Sequence, residues 1–137
     1  MEKIFIFSDA SVSNQKNIGI GVYLILTKKE LSDYESKEIN ELLNIIKEKV
    51  NYVQLNTNKS TYMELCTVNK ALENNEDKEI IIFTDCNKIK KILRDKKNIL
   101  VIKIKGHERK YNRINIEDKI FVCVDRLSRK RLRNLKI

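Results

Sequence analysis

Residues 79–84, EIIIFT, form an almost wholly apolar run that stops at an acidic residue, Asp85. Such a run is typical of a strand that is buried on both faces in the middle of a sheet. A similar run, KIFIFS at residues 3–8, stops at Asp9. Residues 18–27, IGIGVYLILT, form another β-rich run, and only a polar stretch separates it from the N-terminal one. We therefore predict that these two N-terminal runs pair as a hairpin.

Hydrophobic periodicity predicts the remaining elements of the chain. They are an amphipathic helix at residues 38–50, a third strand at 52–57, a helix at 58–75 capped by Ser60 or Thr61, a basic helix at 87–97, a strand at 98–105 and a C-terminal helix at 115–135. A hairpin-led antiparallel meander joined to βαβ units implies one mixed sheet flanked by helices.

The bulk composition is that of a folded chain with the size of one domain. The 137 residues are 42% hydrophobic and 34% charged, which is a globular rather than a disordered balance. The formal charge of +9 favours a polyanionic partner such as nucleic acid. The chain is also rich in Lys, Asn and Ile and has no Pro, a bias that an AT-rich genome imposes whatever the function. Charge alone therefore leaves nucleic-acid binding open.

Cysteine usage and hydropathy bear on the compartment. Cys66, Cys86 and Cys123 are odd in number and widely spaced, without a CxxC pair, so we expect reduced packing thiols. The first apolar run is too short for a signal-peptide core, and no stretch approaches the roughly 20 apolar residues of a membrane helix. We expect a cytoplasmic protein that does not contact membranes.

Four acidic residues form a candidate metal site. Asp9 and Asp85 each end a hydrophobic strand and each follow a Ser or a Thr. Parallel neighbouring strands that end at one edge bring two such carboxylates together, where they repel unless one is protonated or a hard cation such as Mg²⁺ binds. Glu64 on a predicted helix and Asp125 on the last helix can complete a set of oxygen ligands. Each aspartate alone is also explained as an ordinary turn residue at a strand end.

Five short motifs follow one another along the chain. They are IFSDAS with Asp9, NKSTYMEL with Glu64, IIIFTDC with Asp85, VIKIKGH with His107 and VDRLSRKRLR with Asp125. In this order, and on these strands and helices, they resemble type 1 ribonuclease H over essentially the whole chain. The resemblance implies an α/β fold of the ribonuclease H-like type, with a mixed five-stranded sheet in the order 3-2-1-4-5 flanked by helices, as a single domain over residues 1–137.

The mechanism that the resemblance implies is two-metal hydrolysis of phosphodiester bonds with Mg²⁺ or Mn²⁺, leaving a 5′-phosphate and a 3′-hydroxyl. Asp9 would bridge the two ions, Glu64 and Asp125 would bind them on either side, and Asp85 would share or position them. His107, the only histidine, would shuttle a proton or help the product leave, although a surface loop histidine is the alternative.

Asp118 is a rival to Asp125 for the place of the fourth carboxylate. We prefer Asp125 because its VDRLSRK context matches the family's last helix better. Asp118, next to Glu117, is instead typical of the acidic residues that compensate the helix dipole in a first turn.

The sequence departs from the family's pattern at several positions. Ala10 and Cys86 replace a Gly and a Ser that commonly follow the first and third carboxylates, and both changes leave the carboxylates in place. Ser60, Thr61 and Tyr62 stand where the family often has Asn residues that contact the minor groove. These departures concern recognition of the hybrid more than the chemistry.

Other differences concern basic and inserted segments. The 21 residues between Asp85 and His107 leave no room for the basic helical protrusion of some family members, for which Lys88, Lys90, Lys91 and Arg94 can substitute. The predicted helix at residues 38–50 is an insertion whose default role is packing. A basic run near the C-terminus either contacts phosphates or is a solvated helix face; it consists of Arg126, Arg129, Lys130, Arg131, Arg133 and Lys136.

We expect a metal-dependent endonuclease that cuts the RNA strand of RNA–DNA hybrids and acts as a monomer. Sensing of 2′-hydroxyls in a minor groove would fall to Ser11, Ser60, Thr61 and Asn87, the last at a position where the family places an amide side chain against the substrate. One alternative is a DNA nuclease such as a junction resolvase, commonly dimeric, which could use the helix at 38–50 as its interface. Another is a nucleic-acid-binding module that no longer cuts, for which four retained carboxylates would be a burden.

Overall fold

The computed structural model describes residues 2–104 and 115–135. Within these ranges the elements are, in chain order, β1 (Lys3–Ser13), β2 (Ile18–Thr27), α1 (Lys28–Asp33), α2 (Ile39–Ile46), β3 (Asn51–Leu55), α3 (Ser60–Leu72), β4 (Glu79–Thr84), α4 (Asn87–Leu93), β5 (Ile99–Lys103) and α5 (Ile116–Arg133). Each predicted strand and helix within the described ranges is present; β2 and β4 have the predicted bounds, and the other elements differ from the predictions at one or both ends.

The strands form one mixed sheet in the order β3-β2-β1-β4-β5. The pairs β1–β2 and β2–β3 are antiparallel, whereas β1–β4 and β4–β5 are parallel. The predicted fold class and strand order are therefore confirmed. The two strands with apolar runs that stop at acids, β1 and β4, lie side by side in the middle.

Helices cover both faces of the sheet. On one face, α1, α2 and α5 pack against inward side chains of β1 and β2, among them Phe7, Ile20 and Val22. On the other face, α3 and α4 pack against Ile6 of β1 and Ile82 of β4. Among the described residues, no helix has both the length and the apolar character that crossing a bilayer requires.

The end of β1 differs from the prediction that this strand stops at Asp9. β1 continues to Ser13, and its residues from Asp9 onward pair with β2 from Val22 back to Ile18. Pairing with β4 stops earlier, at Phe7 opposite Phe83. The prediction was wrong because the polar residues after Asp9 resemble a turn, although their backbone groups are paired across the hairpin.

The helices also differ in detail from the predictions. α2 ends at Ile46 rather than at residue 50. The short helix α1 was not predicted, although Thr27 and Glu30 form a capping box at its start. The N-cap of α3 is Lys59, not Ser60 or Thr61, and its side chain makes no capping hydrogen bond. Ser60 and Thr61 instead begin the helix.

Two glycines in β2 let α3 lie unusually close to the sheet. A Cβ atom placed on Gly19 would lie 2.7 Å from Met63 Sδ, and one placed on Gly21 would overlap the hydroxyl of Thr67 and lie 2.9 Å from its Cβ. The Thr67 hydroxyl is itself fixed, since it donates a 2.7 Å hydrogen bond to the carbonyl of Met63. Glu64 lies on the turn between these two α3 residues, so the glycines set its distance from β1.

We predict that Gly21→Ala destabilises the protein by roughly 1–3 kcal/mol, the usual cost of overpacking a well-filled interior. The added methyl group would push α3 away from β2. Chemical denaturation of the wild type, Gly21→Ala, Thr67→Ala and the double variant measures this cost. Thr67→Ala should restore part of the stability that Gly21→Ala loses, and strictly additive losses would contradict the steric explanation.

Candidate active site

Asp9 and Asp85 lie level with each other at the edge where β4 ends. The last paired residues of the parallel strands are Phe7 and Phe83, whose rings stack with centroids 4.7 Å apart. Two residues further along each strand are Asp9, within β1, and Asp85, directly after the end of β4. The stacked rings fix the register of the two strands immediately below the acids. Because β1 continues along β2, the backbone of Asp9 is paired with that of Val22 on the β2 side.

Glu64 reaches the same edge from α3. Its Oε1 accepts a 3.0 Å hydrogen bond from the backbone N–H of Ala10, which fixes the carboxylate against β1. Asp9, Glu64 and Asp85 each offer a carboxylate oxygen, and these oxygens all lie within 4.8 Å of one another. Asp9 is 4% exposed and Glu64 7% exposed, whereas Asp85 is half-buried. Three distant parts of the chain thus place their acids together.

Asp125 lies beside this group of three on α5. Its carboxyl group shares a hydrogen bond with Asp9 and accepts a second one from Nε of Arg129, at 3.1 Å. Asp118 lies about two turns earlier on the helix. There it belongs to the first turn, where its backbone N–H donates a 2.8 Å hydrogen bond to the side chain of the N-cap Asn115.

Burial and the neighbouring carboxylates raise the pKa values of Asp9 and Glu64. Burial is the largest cause that raises the pKa of Asp9 to about 10, followed by the hydrogen bond with Asp125 and the charges of Glu64 and Asp85. Burial and the charge of Asp85 raise the pKa of Glu64 to about 8, although the Ala10 hydrogen bond opposes this shift. Without a cation, the folded protein therefore retains protons at this site well above the usual range of carboxylic acids.

The arrangement fits a hard divalent cation. All the donor atoms are carboxylate oxygens, the ligands that Mg²⁺ and Mn²⁺ prefer. In the described part of the chain, Glu64 Oε2 is fully buried and has no hydrogen-bond partner. A buried oxygen of this kind is costly unless a cation or a donor satisfies it. Asp9, Glu64 and Asp85 can provide the inner ligands, with Asp125 adjacent.

Ser11 contacts the protein interior, which the sequence did not indicate. Its hydroxyl oxygen lies 2.9 Å from that of Ser128 on α5, and Ser128 donates a 3.0 Å hydrogen bond to the carbonyl of Asp125. These contacts join β1 to α5 next to the acids. Sequence reasoning missed Ser128. Its position three residues after Asp125, on the same side of the helix, was the signal that could have indicated a place near the acids. The predicted substrate contact of Ser11 thus competes with a contact inside the protein.

The other predicted substrate residues lie near the acids on helix starts. Ser60 and Thr61 begin α3, about one turn before Glu64, and are exposed and half-buried respectively. Asn87 is exposed and begins α4, two residues after Asp85. His107 lies outside the described residues. Cys66, Cys86 and Cys123 are free thiols, as predicted, with Cys123 buried in the core.

The chain is similar to a known protein family. A family model described as RNase H matches residues 1–120, which is most of the chain. The matched range includes Asp9, Glu64 and Asp85 and ends before Asp125. No curated protein matches the chain.

We predict that Asp9→Asn raises the thermal midpoint of the metal-free protein, and more so at about pH 9 than at about pH 5. A raised pKa in the folded state means that stability is greatest at low pH and is lost as pH rises towards the folded value, because only the unfolded chain ionises freely. Removing the acid removes this loss. A gain of about 3 °C or more is expected, since about 1 kcal/mol shifts the midpoint by a few degrees at this size.

The matched control is Asp95→Asn, which removes the same charge from an exposed position after α4. Its midpoint should follow that of the wild type at each pH. Thermal melts in chelator measure both variants. Equal midpoints for Asp9→Asn and wild type at the higher pH would contradict the raised pKa of Asp9 described above.

Proposed function

This chain belongs to the RNase H family, and on that premise we propose that it is a metal-dependent endonuclease that hydrolyses the RNA strand of RNA–DNA hybrids. The observation that carries the proposal is the group of carboxylates from β1, α3 and the end of β4, with oxygens within 4.8 Å of one another. Binding of a polyanion next to buried acids is unfavourable unless cations lie between them. A metal site therefore explains why acids occur together in a chain of net charge +9.

The proposed ligands are Asp9, Glu64, Asp85 and Asp125, for two Mg²⁺ or Mn²⁺ ions. When bound, such ions supply an activated water and stabilise the leaving oxygen in phosphodiester hydrolysis. The chain's own contribution is to hold the four carboxylates in place. The Ala10 N–H orients Glu64, and the Ser11–Ser128 contact holds the α5 turn that carries Asp125. We assign Asp125 rather than Asp118 because Asp125 contacts Asp9.

Substrate recognition is proposed to involve residues on the rim of the site. Ser60, Thr61 and Asn87 present short polar side chains at the starts of α3 and α4, within reach of a minor groove. Because these side chains are short, phosphate contacts must supply more of the binding free energy, and affinity should fall steeply with salt. Ser11 would contribute mainly through its backbone. His107 is assigned the transfer of a proton or the release of product.

The proposal also covers assembly and location. We assign a single domain that acts as a monomer in the cytoplasm without membrane contact. The free thiols of Cys66, Cys86 and Cys123 support a reducing compartment.

We predict cleavage of an RNA–DNA hybrid in Mg²⁺ or Mn²⁺, with loss of cleavage in Asp9→Asn. The assay compares matched hybrid, duplex RNA, duplex DNA and a four-way DNA junction, with Asp95→Asn as the control that should cut normally. Cleavage of the junction with no cleavage of hybrids would support a DNA nuclease of the same fold. Binding without any cleavage would support a module that no longer cuts.

A pair of variants on α5 tests the fourth carboxylate. Asp125→Asn should lower kcat on the hybrid by roughly 100-fold or more, because it removes a proposed ligand, whereas Asp118→Asn should retain most of the activity. Both substitutions remove one charge from the same helix, so the comparison isolates position. The reverse order of activities would assign Asp118 instead.

Asn87→Ala should weaken hybrid cleavage more than it weakens metal binding. The side chain is exposed on the α4 start, where it can contact substrate without contributing to the carboxylate group. Calorimetric titration with Mn²⁺ gives the metal affinity, and initial rates on the hybrid give kcat/KM. Equal losses in metal affinity and in kcat/KM would instead show that Asn87 stabilises the metal site.

A further inference from the structure

A basic groove lies on the sheet face covered by α2 and α5. It has a volume of about 310 Å³, and its lining includes Lys47 and Glu48 after the end of α2, Tyr52 of β3, and Lys130 and Arg131 of α5. Three cations against one acid give these residues a net charge of +2. The insertion that carries α2 thus forms one wall of a positively charged recess, beyond packing against the core.

The lining chemistry fits a nucleic-acid backbone. The Arg131 guanidinium lies 4.4 Å from the centroid of the Tyr52 ring, a cation–π contact that holds the arginine in place at the groove. Lys47 and Lys130 are exposed, one after the end of α2 and the other on α5, and each supplies an ammonium group. Arginine and lysine around an aromatic ring are typical of surfaces that contact phosphates and single-stranded bases. The recess is large enough for a phosphate with its sugar.

Residues that pair across β1, β2 and β3 relate the position of the groove to that of the carboxylates. Asp9 pairs with Val22, and Val22 pairs with Tyr52, so the three side chains lie on the same face. Two strand spacings separate Asp9 from Tyr52, which is about 10 Å. Along one nucleic-acid strand this distance corresponds to about three nucleotides. Val22 is fully buried in the core that α5 covers, so a substrate at the carboxylates would reach the groove over the outer side of α5, which carries Asp125 beside the acids and Arg131 in the groove.

We propose that this groove, which we name the α2–α5 groove, binds a phosphate of the substrate backbone about three nucleotides from the scissile phosphate. The inference rests on the proposed nuclease function, because that function defines the scissile phosphate from which the distance is counted. It gives the inserted helix α2 a role in binding. Lys47, Lys130 and Arg131 would neutralise the phosphate, and Tyr52 would hold the arginine in place.

The test compares two double variants that remove the same charge. Lys47→Gln/Lys130→Gln changes the groove, and Lys28→Gln/Lys29→Gln changes α1, at the end of β2 remote from Val22 and the acids. Binding of a fluorescein-labelled RNA–DNA hybrid, and of a DNA duplex of equal length, is followed by anisotropy in chelator over a range of salt concentrations. Steady-state cleavage of the hybrid with Mg²⁺ gives KM and kcat for both variants.

The groove variant should bind the hybrid roughly tenfold more weakly at about 0.1 M salt, with a salt slope shallower by about 1, the change expected for one phosphate contact. Its KM should rise while kcat stays close to wild type, and the α1 variant should keep the wild-type slope. Equal slopes for the two variants on both nucleic acids would overturn the inference even if the hybrid is cut. A shallower slope for the groove variant alone, without cleavage of hybrids, would support the groove while rejecting the proposed function.

Discussion

Asp9, Glu64 and Asp85 hold carboxylate oxygens within 4.8 Å of one another, and the first two side chains are almost fully buried. Both features oppose ionisation in the folded protein, because burial removes the hydration of each anion and proximity adds their repulsion, so the metal-free protein loses stability as the pH rises. Packing elsewhere in the molecule must offset this cost. The stacked rings of Phe7 and Phe83 directly below the acids, and the apolar cores on both faces of the sheet, are the features that hold β1 and β4 in register against it.

The same constraint explains why small residues lie next to the acids. Glu64 reaches β1 only because Gly19 and Gly21 allow α3 to lie close to β2, and any side chain there would move the helix outward. On the opposite face, Ser11 and Ser128 bring α5 close to β1 through two short side chains. Each acid on a helix is thus positioned by small residues on the facing strand. The ligand atoms of such a site must be positioned to within a fraction of an ångström. A packing change that moves α3 or α5 therefore also changes the geometry of the acids.

Sequence reasoning predicted the two central strands and the acids that follow their apolar runs because these features depend on local patterns. Apolar runs that stop at Asp9 and Asp85 fix two neighbouring strands, and the family resemblance supplies the topology around them. It failed where the determining contact is distant in sequence. The continuation of β1 depends on pairing with β2, not on its own polar residues, and the inward contact of Ser11 depends on a residue 117 positions away. Helix α1 is too short for periodicity to show, so only its capping box could have revealed it.

The acidic and basic residues of α5 lie in two different places, Asp125 beside the acids and Lys130 and Arg131 in the α2–α5 groove. Asp125 faces the acids, and Arg129, one turn later, donates to its carboxylate, an exposed pair that contributes little to stability but balances a local charge. Lys130 and Arg131 lie in the α2–α5 groove. Arg131, the farther of the two, is about 9 Å from Asp125 along the helix axis. At that separation, close to the Debye length in physiological salt, the solvent partly screens the groove cations from the acids. They can therefore remain available to phosphates while the carboxylates remain available to metal, because one helix presents the two kinds of charge to different places.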